Sequence, residues 1–401
     1  MLTKAFIPYK GYYSSPFSRW QGSMQYENSI VLGATTAKRW LESKGWDPGS
    51  YEYLVFGNTI GQHHQFYSAT WASAMMGAKD IPGVILCQAC TTSTTCIWTA
   101  AMGVENGLYA QAAALMTDRC SNGPHTIWPN PLGPGGEVIS ENCMMDNFNS
   151  DPNVGLKMVE TAENVAKEGG FTKEQADDLT LHRYHQYLMA LENDREFQKK
   201  YMFPVEIKIS KKKTLNVEED EGIIASTKEG LEKLKPVVPG GVISFGAQTH
   251  PADGNCLVTV TTEERAKELS ADPSIRIQII SYGFSRAKAG YMAAAPVPAA
   301  RMALERAGLD ISDIKVIKTH NPFIVNDLYM AQQLGIDPKG TADQGFNNYG
   351  SSLVYGHPQG PTAGRNIIEG LEEVIMKGGG YMMWAGCAAG DTGGSIIIKV
   401  G

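Results

Sequence analysis

Long apolar runs are missing from this 401-residue chain. None approaches the roughly 18 consecutive apolar residues that cross a bilayer, so no membrane partner is expected. An excess of basic charge is missing as well. Lys and Arg number 35 against 42 Asp and Glu, a net charge of −7 with no basic stripe, which argues against nucleic acid as a partner. There is no G-x-x-x-x-G-K-[ST] loop and no G-x-G-x-x-G after a strand, leaving nucleotide hydrolysis and dinucleotide binding without support. Cys87-Gln88-Ala89-Cys90 is formally C-x-x-C and Cys96 follows it, but no second such pair and no suitably spaced histidine pair completes a zinc site. No metal is therefore expected. The opening M-L-T-K-A-F-I-P-Y-K lacks a signal-type apolar stretch, and seven irregularly spaced cysteines fit reduced thiols better than a disulfide framework. The expectation is a cytoplasmic protein.

What is present is the composition of a well-packed globular protein of two or three domains, 43% hydrophobic and 19% charged. The chain is organised around Ile85 to Ala101, I-L-C-Q-A-C-T-T-S-T-T-C-I-W-T-A-A, which reads as a short strand running into a small-residue helix. Val84, Ile85 and Leu86 suit a strand buried on both faces, and Ile97, Ala100 and Ala101 suit a helix packed on it. Cys90 sits at the junction, where unpaired helix N–H groups and the dipole are expected to lower its pKa below the usual value of about 8.5. The alternative reading is a plain buried thiol.

A long-period repeat follows. Ala37 to Asn58 lies without gaps on Ala300 to Asn321, so that Leu41 meets Leu304, Gly45 meets Gly308 and Asn58 meets Asn321. Two copies of one α/β unit are implied. The offset (308 − 45 = 263) carries Cys90 onto Leu353, inside G-S-S-L-V-Y-G-H-P-Q-G-P-T-A-G-R. If the halves pack about a pseudo-twofold axis, these two turns meet and His357 lies within about 10 Å of Cys90. Residues 1–122 and 242–276 are read as the first half, 277–401 as the second, and 123–241 as an inserted lid. Within the insert, Ser121 to Ser150 reads as loop. Thr172 to Glu192 reads as a helix opened by a T-x-x-Q cap, with Leu181, Tyr184, Leu188 and Leu191 on its packed face. Lys211 to Lys213 and Glu218 to Glu221 read as a solvated loop, and Lys228 to Leu234 as a short helix.

Four side chains are candidates for chemistry: Cys90, His320, His357 and Cys387. His357 is fixed between Gly356 and Pro358 at the entry to a helix. Cys387 lies in A-G-C-A-A-G-D-T-G-G between two apparent strands, a glycine-rich hairpin whose backbone N–H groups suit an oxyanion. His63, His64, His182 and His185 read as surface or packing residues.

Together these segments resemble the thiolase family over essentially the whole chain. G-H-P-Q-G-P-T-A-G-R at Gly356 to Arg365 is similar to the family's G-H-P-x-G-x-x-G-x-R signature, and C-A-A-G-D-T-G at Cys387 to Gly393 to its terminal signature. His320-Asn321-Pro322-Phe323 corresponds to the N-E-A-F segment with histidine replacing asparagine, as in the sterol-carrier-like branch. The resemblance implies an α/β fold of five layers, α-β-α-β-α, built from two duplicated halves with an inserted loop or lid domain. It implies Cys90 as nucleophile, His357 as its base, Cys387 as acid and base, and His320 as donor to an enolate oxygen. The backbone N–H groups of Cys90 and Ala389 become the acyl oxyanion hole. Gln248 and Thr249, in the segment Ser244 to Gly254, become candidates for the coenzyme A channel, and Trp98, Trp128 and Phe323 for an aromatic acyl pocket.

The reaction so implied is thiolytic cleavage of a β-ketoacyl-CoA, or the reverse Claisen condensation. Coenzyme A is then co-substrate and no cofactor is bound. The general character also resembles benzoylsuccinyl-CoA thiolases of anaerobic aromatic degradation, which implies a homodimer joined through the first-half sheet and leaves room for a small zinc-ribbon and OB-fold partner subunit. Two departures stand out: Thr91-Thr92-Ser93 replaces small-Ser-Gly after Cys90, and Ala389 replaces glycine. Rival readings are a decarboxylating ketoacyl synthase, a hydroxymethylglutaryl-type synthase, and a non-catalytic acyl-CoA- or lipid-binding subunit.

Overall fold

A computed structural model describes residues 1–401. Each half runs α-β-α-β-α-β-β. The first half contributes α1 (Ser29–Lys44), β1 (Tyr53–Gly57), α2 (Ser68–Met76), β2 (Gly83–Leu86), α3 (Thr92–Glu105) and β3 (Gln111–Arg119). The chain then leaves for a long excursion. It opens with a hairpin, β4 (His125–Pro129) and β5 (Val138–Asn142), followed by helices α4 (Met158–Gly169) and α5 (Lys173–Lys199). A second hairpin, β6 (Val205–Ser210) and β7 (Lys213–Val217), precedes the return to the first half at β8 (Ala252–Thr261). The second half supplies β9 (Ile277–Arg286), α6 (Pro296–Ala307), β10 (Ile314–His320), α7 (Val325–Leu334), α8 (Gly360–Met376), β11 (Gly380–Ala388) and β12 (Thr392–Val400).

The pairing patterns match. In the first half β2, β1 and β3 are parallel and β8 closes antiparallel on β3. In the second, the short strand Gly345–Phe346, β10 and β11 are parallel and β12 closes antiparallel on β11. Phe6–Ile7 pairs with both β8 and β9, joining the halves into one twelve-stranded sheet.

Helices α3 and α8 form the middle layer. Ile97, Ala100 and Ala101 of α3 and Ile367, Ile368 and Leu371 of α8 share one core with residues from both halves of the sheet. Helices α1 and α2 cover the outer face of the first half, and α6 and α7 that of the second. Small residues on α3 let the two central helices approach while β-branched and leucine side chains of α8 fill the space. The five layers are those expected.

Four local expectations need correction. Strand β2 is the terminal strand of the sheet, so its apolar run is not buried on both faces: Val84 and Leu86 are half-buried and Ile85 is 38% exposed. Residues 121–150 are not simply loop but carry the β4–β5 hairpin. Helix α5 has its Thr172–Gln175 capping box and breaks at Glu192, yet its buried face is Ala176, Leu179, Thr180, Arg183, Tyr187 and Ala190. Leu188 is 39% exposed, because the helix docks on the face that carries Leu179, Tyr187 and Arg183, the last paired with Asp327 (2.9 Å). The acidic run is not all solvated: Lys211 to Lys213 lie exposed in and beside the β6–β7 turn, but Asp220 is enclosed against Arg365 of α8.

Candidate active site

Cys90 lies in a single 3-10 turn, Ala89–Thr91, at the entry to α3. The turn is tight enough to force Ala89 to φ 44. Cys90 is 8% exposed, at a cavity of about 320 Å³. The backbone N–H groups of Ala389 and Cys90 point at its sulfur, but burial outweighs them and pushes the thiol up to about 12. The expectation of a depressed pKa is therefore overturned: in an enclosed site desolvation of the thiolate exceeds what the helix terminus returns.

His357 comes from the other half. Its N–H donates to the His250 carbonyl (2.8 Å) and its own carbonyl accepts from Ala252 (3.2 Å), fixing the Gly-His-Pro turn against the start of β8. Gly356 is at φ 90, and a Cβ there would come within 2.6 Å of the His250 ring, so the turn admits only glycine. His357 Nε2 is 3.2 Å from Cys90 Sγ, well inside the limit set from the repeat, and Nδ1 is 2.6 Å from the Thr362 hydroxyl. Burial pushes the imidazole down to about 3. It is neutral, with Nδ1 held by the Thr362 hydroxyl and Nε2 facing the Cys90 thiol, where a free lone pair could take the thiol proton.

His320 closes strand β10, placed by the same offset that carries Gly57 onto it. Its ring centroid lies 4.0 Å from that of His357. Nδ1 is 2.9 Å from the Ser352 hydroxyl, and Nε2 is buried with no partner. The Ser352 hydroxyl donates to Asn321 Oδ1 (3.1 Å), which also accepts from the Leu353 N–H (3.0 Å), so the ring is joined through Ser352 to the Asn321 brace. Burial, with His357 alongside, keeps this imidazole neutral as well.

Cys387 is buried in β11, where Asn326 Nδ2 donates to its sulfur at 3.3 Å. Burial raises its pKa first, and the neighbouring Cys90 raises it further. Gly386 beside it has no room for a side chain, since a Cβ would meet Trp384 at 2.5 Å and the His320 Cβ at 2.9 Å.

Gln248, Thr249, Phe323 and Ala389 line the same cavity as Cys90 and His357. Thr249 is tied to the second half by donating from its backbone to Pro322 (2.8 Å) and from its hydroxyl to Ser352 (2.5 Å). Cys90, His357, Gln248, Thr249, Phe323 and Ala389 thus share one cavity, with the His320 ring against that of His357 and Cys387 near Cys90. Trp98 and Trp128 do not line it: Trp98 stacks on Tyr282 at 5.3 Å, and Trp128 is half-exposed on β4.

The family model for "Thiolase, N-terminal domain" matches residues 11–264, and that for "Thiolase, C-terminal domain" matches residues 274–400. The chain belongs to the thiolase family of acyltransferases. This thiolase is 26% identical to the probable acetyl-CoA acetyltransferase of Mycobacterium leprae over 394 residues, covering 96% of this chain and 97% of that protein. It is equally 26% identical to the human mitochondrial 3-ketoacyl-CoA thiolase, covering 96% of each. The crystal structure of that human protein superposes with a TM-score of 0.89 at 24% identity over 99% of this chain and 98% of that one. The Bacillus anthracis acetyl-CoA acetyltransferase structure gives 0.90 at 23% identity, covering 100% of this chain and 99% of that chain.

Sequence reasoning missed several residues that shape this thiolase site. Asp118, at the end of β3, accepts from Asn58 (2.9 Å), from the backbone and hydroxyl of Thr59 (2.8 and 2.7 Å), from Ile60 (2.9 Å) and from Gly360 at the start of α8 (2.8 Å). It ties the two halves together behind the cysteine. The paired Asn58 and Asn321 of the repeat were the available signal: both are buried and both brace a strand end, Asn321 through Asp327 (2.8 Å) and Ser351 (3.1 Å). Asn326, Phe148 and Gln359 carried no signal of their own.

Proposed function

We propose that the protein cleaves a β-ketoacyl-CoA by thiolysis, or runs the reverse condensation, through an acyl-enzyme on Cys90. The observation that carries this is the convergence of Cys90, His357, His320 and Cys387 from four separate segments of two halves. Cys90 Sγ attacks the keto carbon while His357 Nε2 takes its proton. The oxygen formed there is held by the N–H groups of Cys90 and Ala389. The bond between the α and β carbons breaks, and its electron pair moves into an enolate whose oxygen faces His320 Nε2. Cys387 protonates the carbanion, releasing the acetyl-CoA-type thioester and leaving the shortened acyl group on Cys90. Coenzyme A then enters, gives its thiol proton to Cys387, and attacks the acyl group; Cys90 leaves and recovers its proton from His357. No cofactor enters these steps, and coenzyme A is the co-substrate. Gln248 and Thr249 line its pantetheine approach, and Phe323 the substrate side of the cavity.

The acyl group is read as aromatic, with benzoylsuccinyl-CoA as one such substrate. Support comes from Phe148 and Phe323 in the cavity wall, not from the two tryptophans. The working assembly is read as a homodimer joined along the free edge of β2, where Ile85 is already 38% exposed and backbone groups lack a partner strand. A small partner subunit of zinc-ribbon and OB-fold type remains part of the proposal, as does residues 123–241 acting as a lid. Retention of Cys387 favours thiolysis over the decarboxylating synthase, and the absence of a carboxylate in its place disfavours a hydroxymethylglutaryl-type synthase.

The test is intact mass after brief incubation with a panel of acyl-CoA and β-ketoacyl-CoA thioesters, comparing wild type with Cys90→Ser. An adduct present only in wild type supports the acyl-enzyme. No adduct with any thioester, with or without a partner subunit, supports the non-catalytic binding subunit instead.

A further inference from the structure

Gln359 takes no part in the steps above, yet the fold holds it against them. Its backbone is at φ 62, ψ −102, a region that residues other than glycine rarely enter and that tends to persist only where surrounding structure over-determines it. The surroundings do so here. Gly360 N–H donates to Asp118 (2.8 Å), the Ser93 hydroxyl donates to the Gly360 carbonyl, and Thr362 N–H donates to the carbonyl of Gln359 itself (3.3 Å). The side chain is 4% exposed and lines the cavity of Cys90 and His357, with Oε1 3.5 Å from Cys90 Sγ. Nε2, on the same carboxamide, is buried and has no hydrogen-bond partner.

A buried amide donor without an acceptor destabilises the free protein, and a leucine of similar size would avoid that cost. Its presence at a strained position beside the nucleophile is accounted for when the acceptor arrives with the substrate. An acyl group bonded to Cys90 places its second and third carbons beside this carboxamide. Its thioester oxygen is already taken by the N–H groups of Cys90 and Ala389, so Nε2 is left for another oxygen on the acyl chain. We propose that Gln359 is a specificity-determining residue, and that the preferred substrates are CoA thioesters whose acyl group carries a further acceptor oxygen, hydroxyl or carboxylate, within a few carbons of the thioester. This rests on the thiolase reading of the site. It separates oxygenated acyl groups from plain alkyl ones, because a site built around a donor disfavours the analogue that leaves it unpaired.

The experiment uses three four-carbon thioesters, butyryl-, 3-hydroxybutyryl- and succinyl-CoA, titrated calorimetrically into Cys90→Ser and into Cys90→Ser/Gln359→Leu. The expected result is binding of at least one oxygenated thioester roughly ten- to a hundred-fold tighter than butyryl-CoA in the first protein, with that ratio collapsing toward one in the second. Preference for succinyl-CoA alone assigns a carboxylate; preference for 3-hydroxybutyryl-CoA alone assigns a neutral oxygen. Gln359→Met in the same background serves if the leucine variant does not fold. Equal binding of all three thioesters, or a preference that survives removal of the carboxamide, overturns the proposal. Since binding to the serine variant needs no turnover, failure to form an acyl-enzyme in wild type counts against the thiolase reading and leaves this result to stand or fall separately.

Discussion

Cys90 Sγ and His357 Nε2 lie 3.2 Å apart across 267 residues of chain, thiol against neutral imidazole. Burial holds the thiol near 12 and the imidazole near 3, so the resting pair carries no charge and the proton moves only as sulfur bonds to carbon. Alkylation of Cys90 by iodoacetamide is therefore expected to rise about tenfold per pH unit from pH 6 to 9 without a plateau, as a thiolate fraction far below its pKa does. Rates read by peptide mass spectrometry check this. A plateau beginning near pH 6 would show a preformed thiolate–imidazolium pair.

His357 also makes stability depend on pH in a definite direction. A folded-state imidazole pKa of about 3 for His357 lies below the ordinary value of about 6.5, so the unfolded chain binds the proton more tightly. The stabilising contribution is fully present above about pH 6.5 and is lost as pH falls toward 3, at about 1.4 kcal/mol for each pH unit crossed between those two values. Between pH 7 and pH 4, Tm of His357→Gln is expected to fall less than that of wild type by several degrees. Parallel curves for the two proteins would sink the idea.

Much of this was legible in the sequence, and the reason is the repeat. One gap-free alignment put His320 at a strand end and His357 opposite Cys90, because duplicated α/β units that pack about a twofold axis bring equivalent turns together. Signature spacing then located Cys387 and Ala389. What the sequence concealed were properties of enclosure. The helix terminus at Cys90 argued for a low pKa, while the burial that reverses it depends on residues from the other half. The run Val84 to Leu86 announced an apolar strand, not whether a neighbour in the same chain would cover it. Helix α5 misled for a similar reason: its buried face, Ala176, Leu179, Tyr187 and Ala190, is interrupted by Arg183, whose ion pair with Asp327 breaks the hydrophobic period. Gln359 occupies the variable place in its motif, so only its geometry drew attention to it.

Cys387 and His320 are expected to separate the two halves of the reaction. Cys387→Ala removes the group that protonates or deprotonates the α carbon, so thiolysis and condensation should fall by at least about 100-fold while acylation of Cys90 by a simple acyl-CoA continues. His320→Ala removes an oxyanion donor, and about 100-fold to 1,000-fold in turnover is the usual size of that loss. Ser352→Ala removes the hydroxyl that holds His320 Nδ1 (2.9 Å) and should cost less than removing the ring. Stopped-flow acylation alongside steady-state turnover distinguishes them. Loss of acylation in Cys387→Ala, with the fold intact by circular dichroism, would mean that this cysteine acts on Cys90 itself.

One buried carboxylate, Asp220, holds the excursion onto the core. Arg365 of α8 makes a two-pronged ion pair with it at 2.6 and 2.8 Å, and the Arg365 Nε bonds Glu369 at 3.0 Å. The guanidinium lies 3.8 Å over the Tyr355 ring, and the side chains of Arg365 and Asp220 are fully enclosed. Asp220 also accepts from the Phe17 N–H (2.9 Å) and the Tyr187 hydroxyl (3.0 Å), so it links the N-terminal segment, α5 and α8. Removing it leaves a buried guanidinium short of a partner, and Asp220→Ala is expected to cost about 3–5 kcal/mol. The exposed pair Lys38–Glu42, at 3.9 Å, provides the contrast: Lys38→Ala should change stability by less than about 1 kcal/mol. Because Arg365 follows Thr362 by one helical turn, and Thr362 holds His357 Nδ1 at 2.6 Å, the Asp220 variant should also lose turnover at temperatures where it remains folded. Urea midpoints measured together with activity decide the matter. A large loss of stability with unchanged turnover would confine the ion pair to holding the excursion, and equal small effects in both variants would show that the excursion is held by its apolar contacts alone.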